Sequence, residues 1–351
     1  MMRSTSKRGP VLRRLLAKLA LLAMALIAGE RAWAASTRIP VRIEVPSNKN
    51  LQFFTLWVAL GAGTFQQEGL EPQIIVDATP RSAGQLLFQG QADVALLPPP
   101  MFLGMMAEDK PILLFASLLA NEPINLALRK SVADARKLSA HAGLRERLEA
   151  ISGLRIGLAG EVAPRLRALF ASAGMNADKD VELVTIPGPG QVKAFADGRI
   201  DVLFAHTPYL ETVLVRHDAV LLVDTSGGEV PVLADGQIHA LGTTRALART
   251  KPEMMAAVAR AIYRAQLLIH SDAKRTVDAI VASGAAGTDR RMVEAFAAVY
   301  GPAVPRTPKV SLEGIERDAA LYPAHPRAPD FARVRAADYV APQFADSVVK
   351  R

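Results

Sequence analysis

Short apolar runs, each followed by a helix-length amphipathic stretch, recur along most of this chain of 351 residues and restrict it to an α/β architecture. The runs are VRIEVPS (41–47), QIIVDA (73–78), ADVALL (92–97), ILLFASLL (112–119), INLALR (124–129), LRIGLAG (154–160), VELVTI (181–186) and DVLFAH (201–206). Helical patterning lies at 52–68, closed by Gly69, and near 132–150, 162–173 and 189–197. Thr79-Pro80 has the form of a cap with proline in the first turn, opening a helix that Gly90 ends. The last hundred residues turn helical, near 252–270, 273–283, 289–299 and 311–321. Strands separated by helices predict mostly parallel sheets.

The formal charge of +8 raises the question of a polyanionic partner. Arg3, Lys7, Arg8, Arg13, Arg14, Lys18 and Arg31 stand against Glu30 alone in residues 1–34, so most of the excess lies there. Those residues also hold an apolar run from Leu15 to Ala28 and the small-residue pattern Ala32-Trp33-Ala34, the form of a cleaved signal peptide. The run is shorter than the ~20 residues a membrane span needs and contains Lys18. Arg13-Arg14 leaves the Sec and Tat export routes both open. The near-neutral remainder, without a basic patch interleaved with aromatics, disfavours nucleic acid. Absence of cysteine excludes disulfides, thiolate metal sites and a cysteine nucleophile.

One unit occurs twice. Gly90-Gln91-Ala92-Asp93-Val94 is matched by Gly198-Arg199-Ile200-Asp201-Val202, and ten residues beyond each glycine stands a proline, Pro100 and Pro208. Glycine suits a left-handed helix cap and aspartate the turn after it; the following strand then runs to the carboxyl edge of its sheet, where ligands bind in open α/β sheets. Pro98, Pro99 and Pro100 mark where the chain leaves the sheet, since proline cannot extend a ladder. Two helix-turn-strand units without functional connection are the alternative.

These units, together with Gly63-Thr64-Phe65-Gln66-Gln67-Glu68-Gly69-Leu70 and Ser152-Gly153-Leu154-Arg155-Ile156-Gly157, resemble the periplasmic binding proteins of ABC importers. The similar branch is the nitrate, sulfonate, taurine and thiamine-pyrimidine-precursor group, over roughly residues 40–300. The resemblance implies a two-lobed type II fold, each lobe a mostly parallel sheet flanked by helices with the ligand cleft between. One lobe would comprise 36–121 and 232–351, the other 122–231. It further implies a monomer in the periplasm that closes on a small molecule about a hinge and delivers it to a permease and its ATPase, touching the membrane only through the permease. The proline run would stiffen a cleft-facing loop just before the hinge, with Leu97 and Pro98 bordering the ligand.

Further candidate contacts follow from strand ends. Ser47, Asn48, Lys49, Asn50 and Gln52 form a polar run entering a helix, with Phe53 as an apolar wall; an N-cap and a core aromatic are the bland alternatives. Asn121 falls where the chain crosses between lobes, as a contact or as a hinge turn. Gly160 and Glu161 precede another helix, where oxyanion-binding relatives are rich in Gly, Ser and Thr. A carboxylate there disfavours nitrate or a simple sulfonate and, if it faces the cleft, favours an amine; stabilising the helix start is its bland use. Arg165 would neutralise Glu161 or lie in solvent. His206, Thr207 and Tyr209 follow the second Gly-x-x-Asp strand, where relatives carry Glu-Pro before the helix. Gly188 and Gly190 are close-approach candidates.

No catalytic group, metal site or cofactor is expected. The chain lacks G-x-S-x-G, H-E-x-x-H and a phosphate loop; Gly61-x-Gly63 and Gly188-x-Gly190 fail as dinucleotide fingerprints at Gln66 and Lys193. The six histidines show no metal-ligand spacing. An enzyme on the same fold, of a pyrimidine-forming or related type, and a binding protein serving a membrane sensor remain alternatives.

Overall fold

The computed structural model describes residues 38–48, 50–77, 84–139, 142–285, 289–321 and 334–349. The signal-peptide pattern, Lys49 and the Thr79-Pro80 cap lie outside them; the description below concerns the unit Val41–Arg351. Ten strands form two five-stranded sheets. The first has the order β2-β1-β3-β10-β4, with β1 Ile39–Val45, β2 Leu70–Val76, β3 Val94–Leu97, β4 Ile112–Leu119 and β10 His239–Thr244. The second has the order β7-β6-β8-β5-β9, with β5 Asn125–Arg129, β6 Arg155–Leu158, β7 Glu182–Thr185, β8 Val202–Ala205 and β9 Ala219–Val223.

Both sheets are mixed, β10 and β5 being the reversed strands within the mostly parallel arrangement expected. β1 runs parallel to β3, and β6 to both β7 and β8, but β10 is antiparallel to β3 and β4, as β5 is to β8 and β9. Each reversed strand is the first that the chain forms after passing from one sheet to the other. A chain entering a sheet from its carboxyl edge has no helix with which to cross back, so it runs against its neighbours. β9 and β10, AVLLV and HALGTT, were not foreseen; they are short runs of five and six residues.

The stretch 52–68 is not one helix. A 3₁₀ turn, Leu51–Phe53, leads into Phe54–Gly61, and Gly63 at φ 69° separates this from Thr64–Gln67. A Cβ at Gly61 would collide with the Ala279 carbonyl oxygen, so the break lies where the helix Ala273–Ala282 presses closest. The expected helix at 132–150 is two short ones, Lys130–Ala135 and Leu144–Glu149. The four C-terminal helices appear as Pro252–Ser271, Ala273–Ala282, Arg290–Tyr300 and Leu312–Leu321.

Pro98–Pro100 do end β3, but they open a helix, Pro99–Ala107, with Pro98 as its N-cap, rather than stiffen a loop before the hinge. Proline's missing N–H costs nothing in a first helical turn, so the run that stops the strand also starts the helix. β4 intervenes before the chain crosses to the second sheet.

The repeated glycine-aspartate unit has a shared structural basis. Asp93 accepts from the backbone N–H and Nε of Arg42, whose Nη1 donates to the Gly90 carbonyl; Asp201 accepts the same bonds from Arg155, whose Nη2 reaches Gly198. Each aspartate therefore pins the start of a strand to its parallel neighbour, beyond the turn-fitting role expected of it.

Candidate functional site

β6, β7 and β8 are parallel, so their carboxyl ends reach one rim, and the segments that follow them enclose a cavity of about 200 Å³. Ala159 and Glu161 come from the segment after β6, Gly188 and Gln191 from that after β7, and His206 and Tyr209 from that after β8; Ile124, just before β5, closes one side. Of the residues expected from sequence, the structure brings together Glu161, His206 and Tyr209, with Gly188 beside them. Gly188 is where the Tyr209 ring lies, because a Cβ there would stand 2.7 Å from that ring. Gln191 was missed; it sits inside a helix, Gly188–Ala196, where polar residues ordinarily face solvent.

His206 Nδ1 hydrogen-bonds the Thr207 carbonyl oxygen, which can only accept, so this nitrogen carries the hydrogen and Nε2 the lone pair. Burial lowers the His206 pKa, against the opposing hydrogen bond and the charge of Glu161. His206 also bears on His239, which burial pushes down to about 3. His239 stands at the first residue of β10, its Nε2 3.4 Å from Gln52 Oε1 and its ring edge-on to Phe53 at 5.1 Å. A histidine opening an unforeseen strand gave no sequence signal.

The other candidates are placed differently. Asn50 caps the 3₁₀ turn by accepting from the Gln52 N–H, and Asn48 is exposed. Phe53 is buried in the core. Leu97 is fully buried among Phe102, Leu103 and Ile315, away from the cavity; Pro98 is taken up as a helix cap. Asn121 ties the two crossing segments together, donating to the Ser226 carbonyl and accepting from the Asp235 N–H. Gly160 lies in the 3₁₀ turn Gly160–Val162, near Thr185. The Thr207 hydroxyl donates to the buried carboxyl of Glu211, which burial raises to about 7 against that hydrogen bond. Arg165 does not lie in solvent: it is buried and pairs with Glu122 at 3.3 Å. Among the described residues no group of three or more His, Asp or Glu is arranged to hold a metal.

Residues 41–283 match the NMT1-like family. The chain belongs to that family. Solved structures similar to this NMT1-like chain include the alkanesulfonate-binding protein SsuA from Xanthomonas axonopodis pv. citri bound to MOPS. That similarity is 16% identity over 86% of this chain and 98% of that one, with a TM-score of 0.57. The periplasmic aliphatic sulphonate binding protein SsuA from Escherichia coli is 13% identical, over 84% and 91%, with a TM-score of 0.58. The desulfurization enzyme DSZB, solved as a cysteine-to-serine variant with biphenyl-2-sulfinic acid, is 16% identical, over 90% and 99%, with a TM-score of 0.57. At these identities the likeness is one of fold, and the shared fold is the two-sheet type II architecture of periplasmic binding proteins. No curated protein matches the sequence.

Proposed function

We propose that the protein is the extracytoplasmic solute-binding component of an ABC importer, capturing a small polar or heteroaromatic solute. In this reading residues 36–121 with 232–351 form one lobe and 122–231 the other, and the 1–34 leader directs export to the periplasm. The lobes close about the crossings near Asn121 and Asp235, and the closed form docks on a permease. The observation that carries the reading is the cavity at the carboxyl rim of the second sheet: in this reading its lining belongs to one lobe, and His206 in it bears on His239 of the other. Membership of the NMT1-like family and the fold shared with two sulfonate-binding proteins support it.

An enzyme is the second reading, because DSZB has the same fold. Its complex with biphenyl-2-sulfinic acid was solved as a cysteine-to-serine variant, and this chain contains no cysteine. The full-length chain, expressed with its leader and recovered from a periplasmic extract, is expected to show a co-purified small molecule by native mass spectrometry. Small-angle scattering is expected to show a smaller radius of gyration with solute than after its removal. Conversion of the solute into a product would overturn the binding-protein reading, as would recovery of the chain only from the cytoplasm.

A further inference from the structure

We infer that the paired crossings between the two sheets hold a proton on Asp318, and that its release turns one sheet relative to the other. The inference goes beyond the solute-binding reading and rests only on its two lobes turning about those crossings. The chain passes from the first sheet to the second at 120–124 and returns at 224–238. Asn121 ties the two segments together, as does the Glu122 N–H, which donates to the Leu233 carbonyl at 3.1 Å. The helix Leu312–Leu321 is seated directly on the return. A Cβ at Gly314 would stand 2.7 Å from the Gly236 carbonyl carbon, and one at Gly236 would stand 2.5 Å from Asp318 Oδ1. Asp318 Oδ2 accepts from the Gln237 N–H at 2.8 Å, and Arg317 Nη1 donates to the Pro231 and Ala234 carbonyls.

Three buried charged groups act on one another at this point. Glu122, on the outward crossing, pairs with Arg165 at 3.3 Å, and Asp318, buried on the seated helix, lies within electrostatic reach of both. Arg165 belongs to the helix Ala163–Ser172, which follows β6 of the second sheet. Two carboxylates against one guanidinium would leave a negative charge buried, which is costly. Glu122 has the pairing, so Asp318 keeps the proton. Burial, reinforced by Glu122, raises its pKa to about 8, against the Gln237 N–H, Arg165 and Arg317. The other elements packed on its helix bring no competing charge. Pro99–Ala107 has no titratable side chain, and in the turn Ala336–Tyr339 Asp338 pairs with Arg335 while the Tyr339 hydroxyl donates to Asp109. The proton is lost as pH rises through about 8, and Asp318 then competes with Glu122 for Arg165. Arg165 moves with the second sheet, so sharing it between two carboxylates turns that sheet about the crossings.

The absence of native cysteine lets two dyes be placed cleanly, at Ala171→Cys and Ala246→Cys, exposed positions on helices that follow strands of the second and first sheets. In the full chain carrying both, energy transfer between the dyes is expected to change between about pH 6 and about pH 10, along a one-proton curve centred near 8. Asp318→Asn keeps an acceptor for the Gln237 N–H without the charge and is expected to flatten the curve. Glu122→Gln releases Arg165 to Asp318 and is expected to move the midpoint down by at least ~1 pH unit, a displacement that a merely structural role for Asp318 would not produce. A flat response in the doubly labelled chain overturns the inference, as does a midpoint unmoved by Glu122→Gln. A response that persists in Asp318→Asn overturns it too, while leaving the turning of the lobes in place. The solute-binding reading stands or falls separately, on the co-purified molecule and its turnover.

Discussion

The carboxylate of Asp93 holds the side chain of Arg42 across two parallel strands, with 2.9 Å between Oδ2 and Nε, and Lys251 approaches its other oxygen at 3.0 Å. Burial would raise the pKa of Asp93, but these hydrogen bonds outweigh it and hold the group at about 2. The pair is structural, and its counterpart, Asp201 with Arg155, does the same for the second sheet. The stability Asp93 supplies is fully present above the unfolded-state pKa near 4 and is lost as pH falls through about 2. Asp93→Asn is expected to cost about 2 kcal/mol at pH 7 and to flatten the acid limb of a urea-unfolding series between pH 5 and 2. An unchanged acid limb would assign the loss to other carboxylates.

Glu211 has the opposite sign. Burial raises its pKa to about 7, against the Thr207 hydrogen bond, so the folded chain binds a proton that the unfolded chain has released. Its contribution is therefore present below the unfolded value of about 4.5 and is lost as pH rises through about 7. Glu211→Gln is expected to raise the melting temperature at pH 8 and leave it nearly unchanged at pH 4.5, as read by calorimetry across that range.

The pairing of Glu122 with Arg165 takes two charges out of water, their side chains only 3% and 6% exposed. Arg165→Ala leaves the carboxylate buried and is expected to cost about 3–5 kcal/mol. Were Arg165 an exposed partner of Glu161, the loss would stay below about 1 kcal/mol, so chemical denaturation separates the two placements.

Leu97 is packed on every side. Leu97→Ala is expected to lower stability by about 2–5 kcal/mol, measured as a shift in the urea midpoint at constant slope. The affinity for any solute recovered with the native protein is expected to change little, because the cavity lies on the other sheet.

Elements with an intact local period were legible. ILLFASLL is β4 to the residue, and the helices Pro252–Ser271 and Arg290–Tyr300 fall where the apolar spacing places them. Part of the cavity lining was legible in the loops after β6 and β8, since Glu161, His206 and Tyr209 stand at the ends of recognisable strands. Gln191 and His239 were not legible, because a glutamine inside a helix and a histidine opening a short strand have no local mark of burial.

The sequence by itself determined the α/β class and the paired glycine-aspartate units, which follow from hydrophobic period and turn chemistry within a few residues. Only the tertiary structure decided which strands run backwards, which arginine each aspartate holds, that Pro98 caps a helix, and that Arg165 turns inward to Glu122. Those outcomes depend on groups far apart in the chain: Arg42 meets Asp93 across 51 residues and Gln52 meets His239 across 187. A residue's partners at that range are set by how the sheets assemble, and no local pattern carries them.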